Sequence, residues 1–153
     1  MWNEEKSARL SRVCVAAVLV LTAAACVTAP FLVQRLAGVQ LINGRTVGQV
    51  RVPLLAALYL CAALAAAALW DLRALLILAA GQEVFCARSV LLLRRLSWYC
   101  FGAAAVLLAA AFLAWPPLAL LCAAAGFMGL ILRVLKNVFV EAVRLKTEND
   151  YTI

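Results

Sequence analysis

The sequence predicts an all-α integral membrane protein: four transmembrane helices followed by an amphipathic C-terminal helix extension on the cytoplasmic side. Three observations lead there. Apolar residues make up 68% of the 153-residue chain, and mean hydropathy is +1.04. A soluble domain carries about 45–50% apolar residues, and a core this small cannot hide such an excess from water, so the natural solvent is lipid. Polar residues gather in short stretches between long Ala/Leu/Val runs, which is the spacing of spans and loops. The basic residues flank those runs and fall unequally on their two sides.

The elements follow in order. Lys6, Arg9 and Arg12 precede the first apolar run, as in a signal peptide. That run is longer than a signal's apolar core, and three more follow, so a retained first span over residues 10–36 is expected. Pro30 removes one backbone hydrogen bond there and predicts a kink or an end. Residues 37–51 are polar, and Asn43-Gly44 marks a turn, consistent with a short hairpin or surface loop. The second span covers residues 52–70. Pro53 sits in its first turn, Trp70 at an aromatic belt, and Asp71 and Arg73 in the headgroup zone. Residues 74–80 remain apolar and either prolong this helix or lie along the surface.

A cytoplasmic linker helix is expected over residues 84–96, carrying Arg88, Arg94 and Arg95. The third span, residues 97–115, is bracketed by Trp98, Tyr99 and Trp115. Pro116-Pro117 forces a tight turn into the fourth span, residues 118–135, where Gly126 and Gly129 indicate a small-residue contact face. Ile131, Val134, Leu135, Val138, Phe139, Ala142 and Leu145 then recur at steps of three and four. This is an amphipathic extension with a polar tail, residues 136–153 in all. The whole chain forms one membrane domain.

Charge sets the orientation. The N-terminal flank has Lys6, Arg9 and Arg12; the second connection has Arg73, Arg88, Arg94 and Arg95; the C-terminal stretch has Arg133, Lys136, Arg144 and Lys146. Against these, the first connection has Arg35, Arg45 and Arg51, and the Pro-Pro turn has no basic residue. The positive-inside rule therefore places both termini in the cytoplasm. The net charge of +7 is explained by topology and anionic headgroups, so no direct contact with nucleic acid is expected.

The chemistry of most enzyme classes is missing. There is no His, and the six cysteines are scattered without a CxxC pair, so no metal site and no cofactor are expected. No ionisable group falls at the middle of a span, whereas proton-coupled transporters usually keep one there. Catalytic motifs such as GxSxG or HExxH are absent. No catalytic residue is assigned, and a non-enzyme is expected.

Two stretches are distinctive. One is GQEVFCARSVLLLRRLSWYC, with Gly81, Phe85, Ser89, Val90, Leu93, Arg94 and Leu96 as its marked positions. The other closes the chain on Ala142, Leu145, Lys146, Glu148, Asn149, Asp150, Thr152 and Ile153. Together they resemble the bacterial membrane family called domain of unknown function 2975 (DUF2975). Tyr151 stands where that family usually has Leu, and Cys86 where it usually has Ser. The resemblance implies four spans in the bacterial cytoplasmic (inner) membrane and no established activity. It also implies a genetic neighbourhood with a small helix-turn-helix regulator of the Cro/repressor type.

These observations favour a membrane partner or regulator of such a transcription factor. Its docking candidates are Arg88, Arg94 and Arg95 on the linker and Glu148, Asn149 and Asp150 in the tail. The plainer alternative is that the tail residues only end and solvate the helix. A small oligomeric transporter or channel component is the other reading, since Ala- and Gly-rich faces permit self-association. A third reading, redox chemistry at Cys86 beside Arg88, is opposed by the simpler role of an inert packing thiol.

Overall fold

The computed structural model describes the backbone of residues 4–41, 44–80 and 86–150. It describes the side chains of all of these except 4–10, 12, 79–80, 146–147 and 149–150. Four helices follow in order: α1 (Glu4–Arg35), α2 (Arg51–Ala80), α3 (Ala87–Leu113) and α4 (Leu118–Asp150). Each contains a stretch long and apolar enough to cross a bilayer. Ala and Leu favour the helix intrinsically, and in lipid a helix satisfies every interior backbone group within itself.

The helix ends are where local chemistry requires them. Pro53 lies in the first turn of α2, where a missing N–H costs nothing. At the other end of the chain, Pro116 and Pro117 cannot continue α3. The α3 helix therefore stops at Leu113, and Trp115, expected inside the third span, lies in the turn. The carbonyls of Trp115, Pro116 and Pro117 accept the first N–H groups of α4.

Of the kink or end expected at Pro30, the end does not occur: α1 continues to Arg35, within the expected first span. From Ala87 on, the expected linker helix and the third span are one unbroken helix, α3, because no Gly or Pro separates Arg95 from Trp98. The polar tail is helical through Asp150. Residues 74–80 do prolong α2. Asn43, Gly81, Phe85, Thr152 and Ile153 lie outside the described residues.

Among the described residues each helix packs only on its neighbours in sequence, so the four form a row, with α1 and α4 at its edges. Successive helices alternate in direction, which puts Glu4 and Asp150 at one end, the terminal end. The loop end holds residues 36–41 and 44–50 and the Pro-Pro turn. The inner helices of the row are α2 and α3, and α3 is the most buried of the four. Leu92, Leu93, Leu96, Ala104, Ala110 and Ala111 are its buried apolar residues.

Three contacts tie the row together. Lacking an N–H, Pro30 leaves the carbonyl of Cys26 without its helical partner. The Tyr59 hydroxyl of α2 donates to that oxygen at 3.1 Å. Between α2 and α3, Gly102 faces Leu64 so closely that a Cβ would sit 3.4 Å from its methyl group. Between α3 and α4, buried Ser97 donates to the Gly129 carbonyl at 2.9 Å. A Cβ on Gly129 would stand 3.2–3.3 Å from Phe101 and Cys100. Gly126, expected on the same contact face, meets open space instead.

Candidate functional site

The two ends of the row differ in how they treat their polar groups. At the loop end the chain satisfies its own backbone. Gln40 and Thr46 form an antiparallel bridge, with Leu41 N–H donating to Arg45 O at 2.8 Å and Val47 N–H to Val39 O at 3.0 Å. Gly44 closes this small hairpin at φ 75°, a conformation open to glycine at little cost. Arg45 then reaches across to the last turn of α3 and donates to Leu113 O at 3.1 Å. A cation there suits the negative end of the helix dipole. Val47, Val50 and Ala114 are buried beneath this cover.

The middle of the row offers little chemistry. An open groove of about 400 Å³ between α1 and α2 is lined by Leu21, Thr22, Cys26, Leu58 and Cys61, among others, with no charged residue. The Thr22 hydroxyl is committed to Val18 O in its own helix. The groove suits acyl chains and supplies no polar pathway.

The terminal end is the charged one. Arg88, Arg94 and Arg95 are all exposed on α3. Arg88 and Arg95 are seven residues apart and share a face; Arg94 lies on the adjacent one. On the inward side of the same stretch Ser89 is fully buried and Leu92, Leu93 and Leu96 nearly so, while Leu91 is exposed. The distinctive SVxxLRRL segment is thus mainly a packing stripe, with its arginines on the outside. Cys86 precedes α3 as its N-cap, its thiol 3.4 Å from the Ser89 hydroxyl. The thiol is half-buried beside Ser89.

Asp71, assigned from sequence to the headgroup zone, is buried on α2 with Oδ2 unpartnered among the described residues. From the Gly102–Leu64 contact, an antiparallel count places Asp71 level with about Arg95.

The tail is not brought to the arginines. Counting from the Ser97–Gly129 bond, the start of α3 is level with about residue 139. Glu148 therefore lies about 13 Å beyond it along α4. The Glu148 carboxylate accepts instead from Arg144 Nε, one turn earlier, at 3.0 Å, with both side chains well exposed. Asn149 and Asp150 continue the helical backbone at its tip. No group of potential metal ligands occurs among the described residues.

Sequence reasoning missed Tyr59, Arg45 and Ser97 as the residues that bind helix to helix. Pro30 did signal an orphaned carbonyl at Cys26, but finding its donor requires the α1–α2 register.

A row of four bilayer-length helices, apolar through the middle and charged at one end, defines a polytopic membrane protein. The chain belongs to the family described as Protein of unknown function (DUF2975), whose model matches residues 3–153. No curated protein and no solved structure matches it significantly.

Proposed function

We propose that the chain is a non-enzymatic partner, or regulator, of a cytoplasmic protein, and that this protein is a small helix-turn-helix transcription factor. Its place is the bacterial cytoplasmic membrane, with the terminal end in the cytoplasm. The excess of Lys and Arg at that end supports the orientation.

The observation that carries this reading is the length of α4. Its 33 residues span about 50 Å, against a hydrocarbon core of about 30 Å. The surplus, about the last 13 residues, bears Glu141, Arg144, Lys146, Glu148 and Asp150, with Arg133 and Lys136 just before it, a charge density that hydrocarbon does not accommodate. It forms a helical arm that holds the tail away from the bilayer. A helix-turn-helix protein keeps basic side chains for phosphates, and the acidic pair Glu148 and Asp150, flanking Asn149, suits such a surface. The Glu148–Arg144 pair is no obstacle, because exposed pairs contribute only about 0–1 kcal/mol. Arg88, Arg94 and Arg95 give a second, basic patch nearer the membrane for acidic groups of the same partner.

The test is capture of cytosolic proteins on the tagged, detergent-solubilised chain, with and without residues 148–153. One small DNA-binding protein is expected on the full chain and lost on the shortened one. Equal recovery of every protein on both would sink the proposal.

A further inference from the structure

The arm of α4 carries a second pattern that the tail does not explain. Met128, Ile131, Leu135, Val138, Ala142 and Leu145 alternate at steps of three and four, the a and d positions of a heptad. The helix side that packs on α3 is a different one. It runs through Gly129, and the positions seven and fourteen residues on, Lys136 and Val143, are half-buried. The heptad stripe is centred about 130° around the helix from that line. Val138 is 58% exposed and Leu145 64%.

Lipid can cover Met128, Ile131 and, at its edge, Leu135, but it does not cover Val138, Ala142 and Leu145 on an arm this charged. Nor can the arm bend back onto the membrane surface, for no Pro or Gly occurs in α4 after Gly129. An apolar stripe on a helix in water needs a partner helix.

The flanking charges indicate which helix. With Leu135 and Ala142 at a, Glu141 falls at g and Lys146 at e of the next heptad, five residues later. In two parallel helices, g of one faces the following e of the other, where opposite charges attract. Each chain carries both members of the pair, so the surface is complementary to itself, as a twofold interface requires. Two copies in one membrane necessarily run parallel.

We infer that the α4 arms of two copies of this chain pair as a short parallel coiled coil through Leu135, Val138, Ala142 and Leu145, with Glu141 of each facing Lys146 of the other. The pairing does not depend on the tail, since the stripe ends at Leu145. It sets two tails side by side, a spacing that suits a twofold-symmetric partner.

The test is oxidative cross-linking in native membranes, starting from the full chain with its own cysteines as baseline. Val138→Cys and Leu145→Cys are expected to give a disulfide dimer at least about five-fold more abundant than Val140→Cys. Val140 is also exposed, at 43%, but occupies f on the far side of the stripe. With Leu145→Cys as reporter, Glu141→Lys is expected to lower the dimer band and Glu141→Lys combined with Lys146→Glu to restore it. Equal cross-linking at Val140, no dimer at Val138 and Leu145, or adducts only with another protein would each overturn the inference. Deleting residues 148–153 should leave this cross-link unchanged, so failure of tail docking and failure of pairing are told apart.

Discussion

The loop end and the terminal end of this protein handle polar groups in opposite ways. At the loop end, Arg45 caps the Leu113 carbonyl and a short hairpin pairs its own backbone over buried Val47 and Val50. Deeper in the row, the Tyr59 hydroxyl repairs the gap left by Pro30, and Ser97 bonds the Gly129 carbonyl. At the terminal end the arginines of α3 stand exposed and α4 runs on alone past the start of α3. One set of polar residues binds helix to helix. The other is turned outward, and an outward set is what a partner can read. The contrast implies that substitutions in the first set change stability, and that substitutions in the second change recognition alone.

The largest effect is expected where α3 and α4 touch. Gly129→Val puts methyl groups against Phe101 and Cys100 and should cost about 1–3 kcal/mol, as overpacked sites do. Gly126→Val, three residues away but facing open space, should leave the melting temperature in detergent unchanged. Equal losses at both would break the assignment of the contact face. Arg45→Ala should cost about 1 kcal/mol, the value of a hydrogen bond that caps a helix end. Arg45→Lys should recover part of it, as read by denaturant unfolding.

Tyr59→Phe comes next, at roughly 0.6 kcal/mol, typical of interhelical hydrogen bonds in membranes. Its cost should vanish in a Pro30→Ala background, where the Cys26 carbonyl regains a helical N–H. A cost unchanged by Pro30→Ala would mean that the hydroxyl acts elsewhere. The smallest effect belongs to the terminal end. Arg144→Ala breaks the exposed pair with Glu148 and should shift stability by less than about 0.5 kcal/mol. A larger loss there would blur the distinction between the two ends.

Much of the fold was legible because lipid imposes simple rules. Run length gave four helices, and Pro53 and the Pro116-Pro117 turn fixed two of the helix starts closely. Joints that depend on register were not legible. Arg94 and Arg95 made the beginning of α3 look like a separate surface helix, yet Leu92, Leu93 and Leu96 bury one side of it while the arginines leave by the other. Pro30 left a kink or an end open because its remedy, Tyr59, lies in the next helix. Gly126 and Gly129 looked alike in sequence, and only the rotation of α4 against α3 separates them. Of the candidate site, the exposure of Arg88, Arg94 and Arg95 could be anticipated from the apolar residues around them. The pairing of Glu148 with Arg144 follows from a four-residue spacing that becomes meaningful once the helix continues through the tail.

The central claim is that the recognition end, with both termini, lies in the cytoplasm while the Arg45 hairpin lies outside. Sidedness of two introduced thiols tests this most directly. Thr46→Cys and Arg144→Cys would be exposed to a membrane-impermeant maleimide on intact cells, each compared with the unmodified chain. The account predicts labelling at position 46 from outside, and at position 144 only after the membrane is opened. Labelling at position 144 in intact cells, with position 46 protected, would contradict it.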